Sequence, residues 1–216
     1  MPKRPNVKVK ICGITNWTDA RRAVEAGANF LGFNFYTHSP RYITPAKARG
    51  IVRRLPKGIS SVGVFVNESE DEILDIARTV GLDRLQLHGD ESPAMVKRLG
   101  RIFPVMKAVR VRKSFRASQL ARFKHASAFL LDGFDANQRG GTGKKFDWRL
   151  VPKANGRARI FLAGGITPEN VGEAIRIAHP YAIDVCSGVE AAHGKKDPKR
   201  MKALMLGVGE ARKGAR

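Results

Sequence analysis

Val7-Lys8-Val9-Lys10-Ile11-Cys12-Gly13-Ile14-Thr15 is an alternating apolar segment that ends on a thiol and runs directly into a turn. In an open, doubly wound sheet the turn after the first strand would carry Gly-x-Gly-x-x-Gly, whereas here it reads Cys-Gly-Ile-Thr. A closed α/β barrel places its chemistry in the loops that follow its strands, so a thiol at this point suits a barrel. Unpaired cysteines are also among the most buried residue types, so Cys12 alone does not separate a core role from a reactive one.

The downstream pattern separates the folds. Short apolar strands are predicted at 30–35, 61–66, 84–87, 103–109, 128–132, 158–162 and 183–186. Helices are predicted between them: 19–26 stopped by Gly27, Thr44-Pro45 to about 55, and Ser69 to about Gly81, with Glu72 completing a capping box. Ser92-Pro93 opens another, a weaker one lies near 118–124, Thr167-Pro168 opens one running to about 178, and Asp197-Pro198 opens the last. Eight apolar strands alternating with helices need parallel pairing and helices outside, which predicts a single-domain (β/α)8 TIM barrel of the α/β class. The domain is expected to span 1–216, with short basic extensions at about 1–6 and 211–216. The polar, glycine-rich connection between Asp132 and Trp148 is a long loop, and such loops usually carry function.

At 216 residues and 43 % hydrophobic composition, the chain suits one well-filled core. Cys12 and Cys186 form no disulfide framework, no Cys-x-x-Cys suggests zinc, and no run of 18 apolar residues suggests a membrane span. A cytoplasmic location follows as the default expectation, with no membrane partner. The formal charge of +21 attracts polyanions and small anionic substrates alike. Its basic residues are spread over most segments and accompany no recognisable nucleic-acid motif, so no specific nucleic acid is expected. A basic nucleic-acid-binding barrel remains the alternative from a different class.

The strand ends hold the candidate chemistry. Gly164-Gly165 follows strand seven and Ser187-Gly188 follows strand eight; glycines there either make tight turns or let backbone amides grip a phosphate. Asp132 ends strand six with no helix beside it to cap, which favours acid chemistry, and Asp135 is a second carboxylate in the same loop. Arg41 could clamp a carboxylate through its guanidinium fork, or simply be a solvated surface cation. His88 suits an acid or base, a substrate donor, or a structural histidine. Gly141, Thr142 and Gly143 lie in a Walker-like stretch that lacks Gly-Lys followed by Ser or Thr. Side-chain alternation turns Lys10 the same way as Cys12, and Asp184 the same way as Cys186. If the first and last strands are neighbours and face inward, Lys10 and Asp184 pair beneath the thiol. No histidine and carboxylate spacing suggests a metal.

Taken in order, these segments resemble the phosphoribosylanthranilate isomerase family over nearly the whole chain. The resemblance rests on Lys10-Ile11-Cys12-Gly13-Ile14-Thr15, Ser39-Pro40-Arg41-Tyr42, Leu85-Gln86-Leu87-His88-Gly89, Gly140-Gly141-Thr142-Gly143, Ala163-Gly164-Gly165-Ile166-Thr167-Pro168-Glu169-Asn170 and Asp184-Val185-Cys186-Ser187-Gly188-Val189-Glu190. It implies Cys12 as general base, Asp132 as general acid, Arg41 facing the anthranilate carboxylate, and the amides around Gly164-Gly165 and Ser187-Gly188 on the phosphate. The implied reaction is an Amadori rearrangement of a small phosphorylated substrate, with no metal or redox cofactor. Cys186 departs from the family, standing where serine is common. Another phosphosugar isomerase of the same superfamily is the nearest enzymatic alternative; the histidine-pathway enzyme uses an aspartate where this chain has Cys12. The chain is expected to act as a monomer or homodimer.

Overall fold

The structure, a computed structural model, describes residues 7–112, 114–133, 147–151 and 159–213. Eight parallel strands close a barrel in chain order: β1 (Lys8–Ile11), β2 (Phe30–Asn34), β3 (Ser60–Phe65), β4 (Arg84–Leu87), β5 (Val105–Val111), β6 (Ala128–Gly133), β7 (Arg159–Leu162) and β8 (Ala182–Val185). The predicted barrel is therefore the observed one. β1 meets β8 at the closing seam, with Lys10 opposite Asp184 and Ile11 opposite Val185.

Alternation along each strand splits the apolar residues into two bodies. Phe30, Val62, Met106, Ala128, Leu130 and Phe161 fill the barrel interior. Their strand neighbours Ile11, Leu31, Leu85 and Leu131 face outward, against helix residues such as Ala20, Ala77 and Leu204. Each large side chain removed from water in this way contributes roughly 1.5–3 kcal/mol.

The helices are α1 (Trp17–Ala26), α2 (Pro45–Val52), α3 (Glu70–Val80), α4 (Pro93–Leu99), α5 (Val171–Ala178) and α6 (Pro198–Lys213). Ser69 and Glu72 form the expected capping box at α3, which Gly81 ends with a φ of 79°. Four expectations need correction. α1 starts at Trp17, not 19, because the Asn16 side chain accepts from the Asp19 amide at 2.9 Å. The segment near 118–124 is a 3-10 helix, Ala117–Phe123, rather than an α-helix. Thr167-Pro168 opens a turn, and α5 begins only at Val171. α6 runs on to Lys213, so the first residues of the supposed basic extension belong to a helix. One feature was unforeseen: after a 3-10 turn at Ser187–Val189, β9 (Glu190–Ala192) and β10 (Lys195–Lys196) form an antiparallel hairpin.

At the amino ends of the strands, three cations rest on aromatic rings. Lys8 Nζ lies 5.8 Å from the Phe30 centroid and 5.5 Å from that of Tyr181. Arg84 Cζ lies 5.8 Å from Phe30, and Arg159 Cζ lies 5.3 Å from Tyr181.

Candidate active site

Cys12 is the first residue beyond β1, and its amide donates to Val185 O at 2.9 Å, which ties it to the end of β8. Beneath it, fully buried Lys10 donates from Nζ to Asp184 Oδ1 at 2.8 Å. Parity and the closing seam together place this pair where the strand pattern put it. Gly32 leaves the room: a Cβ there would stand 2.7 Å from Cys12 Sγ and 3.0 Å from Lys10 Nζ.

The Cys12 thiol is held well below the ordinary thiol range. A hydrogen bond with Cys186 is the largest cause; burial opposes it, and the charges of Lys10 and Lys196 assist. Cys186 is pushed well up, first by that same bond and then by burial. Burial works against the Lys10 charge, yet Asp184 and Cys12 outweigh it and hold the ammonium above the usual lysine range. Asp184 is pushed up to about 6 by burial, with Lys10 opposing and the charges of Cys12 and Asp132 adding. A negative sulfur above the pair adds to both upward shifts, behind burial for Asp184 and behind Asp184 itself for Lys10.

Asp132 reaches the same interior from β6, two residues beyond inward-facing Leu130. Its Oδ2 stands 3.5 Å from His88 Nε2. The other imidazole nitrogen, Nδ1, lies 2.8 Å from Gln86 Nε2; with the amide donating, the ring proton falls on Nε2, toward the carboxylate. His88 Nε2 is buried without a hydrogen-bond partner. Buried Lys107 grips the backbone on both sides of His88, donating to Leu87 O at 3.1 Å and Gly89 O at 2.9 Å while pairing with Glu91 at 2.9 Å.

Arg41 is buried, and Glu190 holds it from one side: Nε lies 2.9 Å from Oε1 and Nη2 lies 2.7 Å from Oε2. The arginine is legible in the sequence, whereas its counter-ion is not. Nor is Lys196, whose Nζ reaches Glu190 Oε1 at 2.9 Å, Cys186 O at 3.2 Å and Cys186 Sγ at 3.8 Å. Burial opposes the Glu190 charge, but Arg41 and Lys196 hold its carboxyl below the ordinary range. The unforeseen hairpin delivers both residues, so it braces the site from above.

The loops after β7 and β8 touch. A Cβ on Gly188 would stand 2.0 Å from Ile166 O, which leaves glycine as the residue that fits. Gly164 and Gly165 both take positive φ, at 82° and 66°. Asn170 fixes their loop by donating to Gly165 O at 2.8 Å and accepting from the Thr167 amide at 3.0 Å. That pair of bonds is why the chain turns at Thr167 and delays its helix. Ser187 and Gly188 begin the neighbouring loop, and Arg200 Nε donates to Gly188 O at 2.9 Å. Asp135, Gly141, Thr142 and Gly143 lie outside the described residues. Among the described residues, no group of three or more His, Cys, Asp or Glu side chains is placed to hold a metal, and no helix is long and apolar enough to cross a membrane.

Residues 9–206 match the family model of N-(5'phosphoribosyl)anthranilate (PRA) isomerase. N-(5'-phosphoribosyl)anthranilate isomerase from Citrifermentans bemidjiense is 50 % identical over 206 residues, covering 95 % of this chain and 97 % of the relative. The crystal structure of phosphoribosyl anthranilate isomerase from Thermotoga maritima superposes with a TM-score of 0.88 at 41 % identity, covering 94 % of this chain and 99 % of that one. A second solved structure of this kind, in complex with reduced 1-(o-carboxyphenylamino)-1-deoxyribulose 5-phosphate, gives a TM-score of 0.85 at 41 % identity, with the same coverage.

Proposed function

The chain belongs to the N-(5'-phosphoribosyl)anthranilate isomerase family, and we propose that Cys12 is the base and Asp132 the acid of its reaction. It isomerises N-(5'-phosphoribosyl)anthranilate to 1-(o-carboxyphenylamino)-1-deoxyribulose 5-phosphate in tryptophan biosynthesis. The observation that carries the assignment of the base is a thiol seated directly over the buried Lys10–Asp184 pair.

In this reading Asp132 protonates the furanose ring oxygen as the ring opens to a protonated Schiff base. His88 Nε2 stands 3.5 Å from the carboxyl group. The Cys12 thiolate then removes the proton from sugar C2, and the electron pair moves to the nitrogen, giving an enolamine. Tautomerisation of the enolamine leaves the ketose. A free cysteine with a pKa of about 8.5 is only slightly ionised at neutral pH, so Cys186 first, and Lys10 and Lys196 after it, supply what this base lacks. Phosphate and carboxylate are the substrate's two charged handles, and holding both fixes the reacting carbon between base and acid. The amides around Gly164, Gly165, Ser187 and Gly188 take the phosphate, on two loops that pack against each other. Arg41 meets the anthranilate carboxylate through the guanidinium edge that Glu190 does not occupy. The reading calls for no metal or redox cofactor and no specific nucleic acid, and it has the chain act in the cytoplasm as a monomer or homodimer.

Turnover of freshly generated substrate, followed through loss of its fluorescence, tests the assignment. Cys12→Ala is expected to lose turnover by at least about a hundredfold while still binding the reduced product. Turnover at the wild-type rate in that variant removes Cys12 from the base role.

A further inference from the structure

We propose that Cys12 and Cys186 are a disulfide-forming modification site, closed by hydroperoxides and reopened by thiols. The backbone sets the spacing. Ile11 and Val185 are opposed on neighbouring parallel strands, each is followed by a cysteine, and the Cys12 amide bonds Val185 O at 2.9 Å. Neighbouring strands lie about 4.8 Å apart, within the Cα separation of about 4.4–6.8 Å that a disulfide spans. Side-chain direction agrees, because the residues two positions earlier, Lys10 and Asp184, already touch across this seam at 2.8 Å. Both residues are partly exposed. The chain contains just these two cysteines, so neither has another intramolecular partner.

The chemistry balances with hydrogen peroxide as the oxidant. The Cys12 thiolate attacks one peroxide oxygen, the O–O bond breaks, and the departing hydroxide takes up a proton to become water. Cys12 is left as a sulfenic acid. Cys186 gives up its proton, its sulfur attacks the Cys12 sulfur, the S–S bond forms, the S–O bond breaks, and a second water leaves. Two thiols lose two electrons, and one peroxide becomes two waters. The two sulfurs are suited to these unequal parts: ionisation is favoured at Cys12, and Lys196 Nζ, 3.8 Å from Cys186 Sγ, favours ionisation of the second thiol when its turn comes. Bond formation does not depend on the catalytic role assigned to Cys12, whereas loss of activity on oxidation does.

The test treats the full-length protein with hydrogen peroxide, alkylates the remaining thiols, and maps peptides without reduction. A Cys12–Cys186 linked peptide is expected, with activity falling as the linkage accumulates and returning in full with dithiothreitol. Cys186→Ser, and independently Cys186→Ala, should form no linkage. Each should recover less than about one tenth of its own untreated rate, because an unresolved sulfenic acid proceeds to sulfinic acid. Absence of the linked peptide from inactivated wild-type protein overturns the proposal, as does equal recovery in the Cys186 variants. A linked protein that stays fully active upholds the modification site and overturns Cys12 as base.

Discussion

The two ends of one barrel treat positive charge in opposite ways. At the carboxyl ends of the strands each inward cation has a carboxylate: Lys10 has Asp184, and Arg41 and Lys196 share Glu190. At the amino ends Lys8, Arg84 and Arg159 lie over Phe30 and Tyr181, and among the described residues none of the three has a carboxylate within ion-pair distance. Buried ion pairs cost desolvation and add little net stability, but they fix geometry, because removing one partner strands the other. Cations on aromatic faces near solvent contribute about 0.5–1 kcal/mol each and tolerate loss. The difference locates the end where the chain holds charges in place for chemistry.

Substitutions at the two ends should therefore diverge. Asp132→Asn removes the proposed acid and should lower turnover roughly a hundredfold to ten-thousandfold with the thermal midpoint little changed, as read by paired kinetics and calorimetry. Lys10→Met strands the Asp184 carboxylate and should cost about 3–5 kcal/mol in denaturant unfolding. Lys10→Met with Asp184→Leu should recover most of that stability and none of the lost thiolate; equal stability of single and double variants would break the comparison.

The same double variant reports on the base. In the proposed mechanism the active form is the thiolate, and its pKa is lowered in the native protein, so activity should be present at neutral pH and fall away as the pH drops through that lowered value. Without Lys10 the acid limb of kcat/KM should move to higher pH, toward the ordinary thiol range. An unmoved limb would separate the lysine from the thiol. Smallest of all, Arg159→Ala at the opposite mouth should change stability by no more than about 1 kcal/mol and leave kcat as it was. A large loss of activity there would mean that the two ends are coupled.

Sequence reading reached the catalytic end unevenly, and the reason is physical. Strand parity is a strict two-residue period, so Lys10, Cys12 and Asp184 could be aligned once the first and last strands were taken as neighbours. Asp132 and the glycine loops are likewise visible as strand-end residues. Glu190 and Lys196 are not, because charged residues after the eighth strand read as a solvated loop; the ion pairs with each other and with Arg41 that accompany their burial cross between loops. Gly32 went unnoticed since its value lies in an absent Cβ beside a sulfur on another strand. Thr167-Pro168 carries a genuine cap signature, which two side-chain bonds from Asn170 overrule in favour of a turn.

Because β1 closes on β8, the thiol and its lysine are made first by the ribosome, and the aspartate that neutralises the lysine emerges some 170 residues later. Until then a nascent chain carries a cation in the middle of its opening strand with nothing to offset it, which disfavours early docking of that strand. Any partial product released before the eighth strand would hold a cysteine of ordinary reactivity. Competence thus cannot precede the strand that closes the barrel.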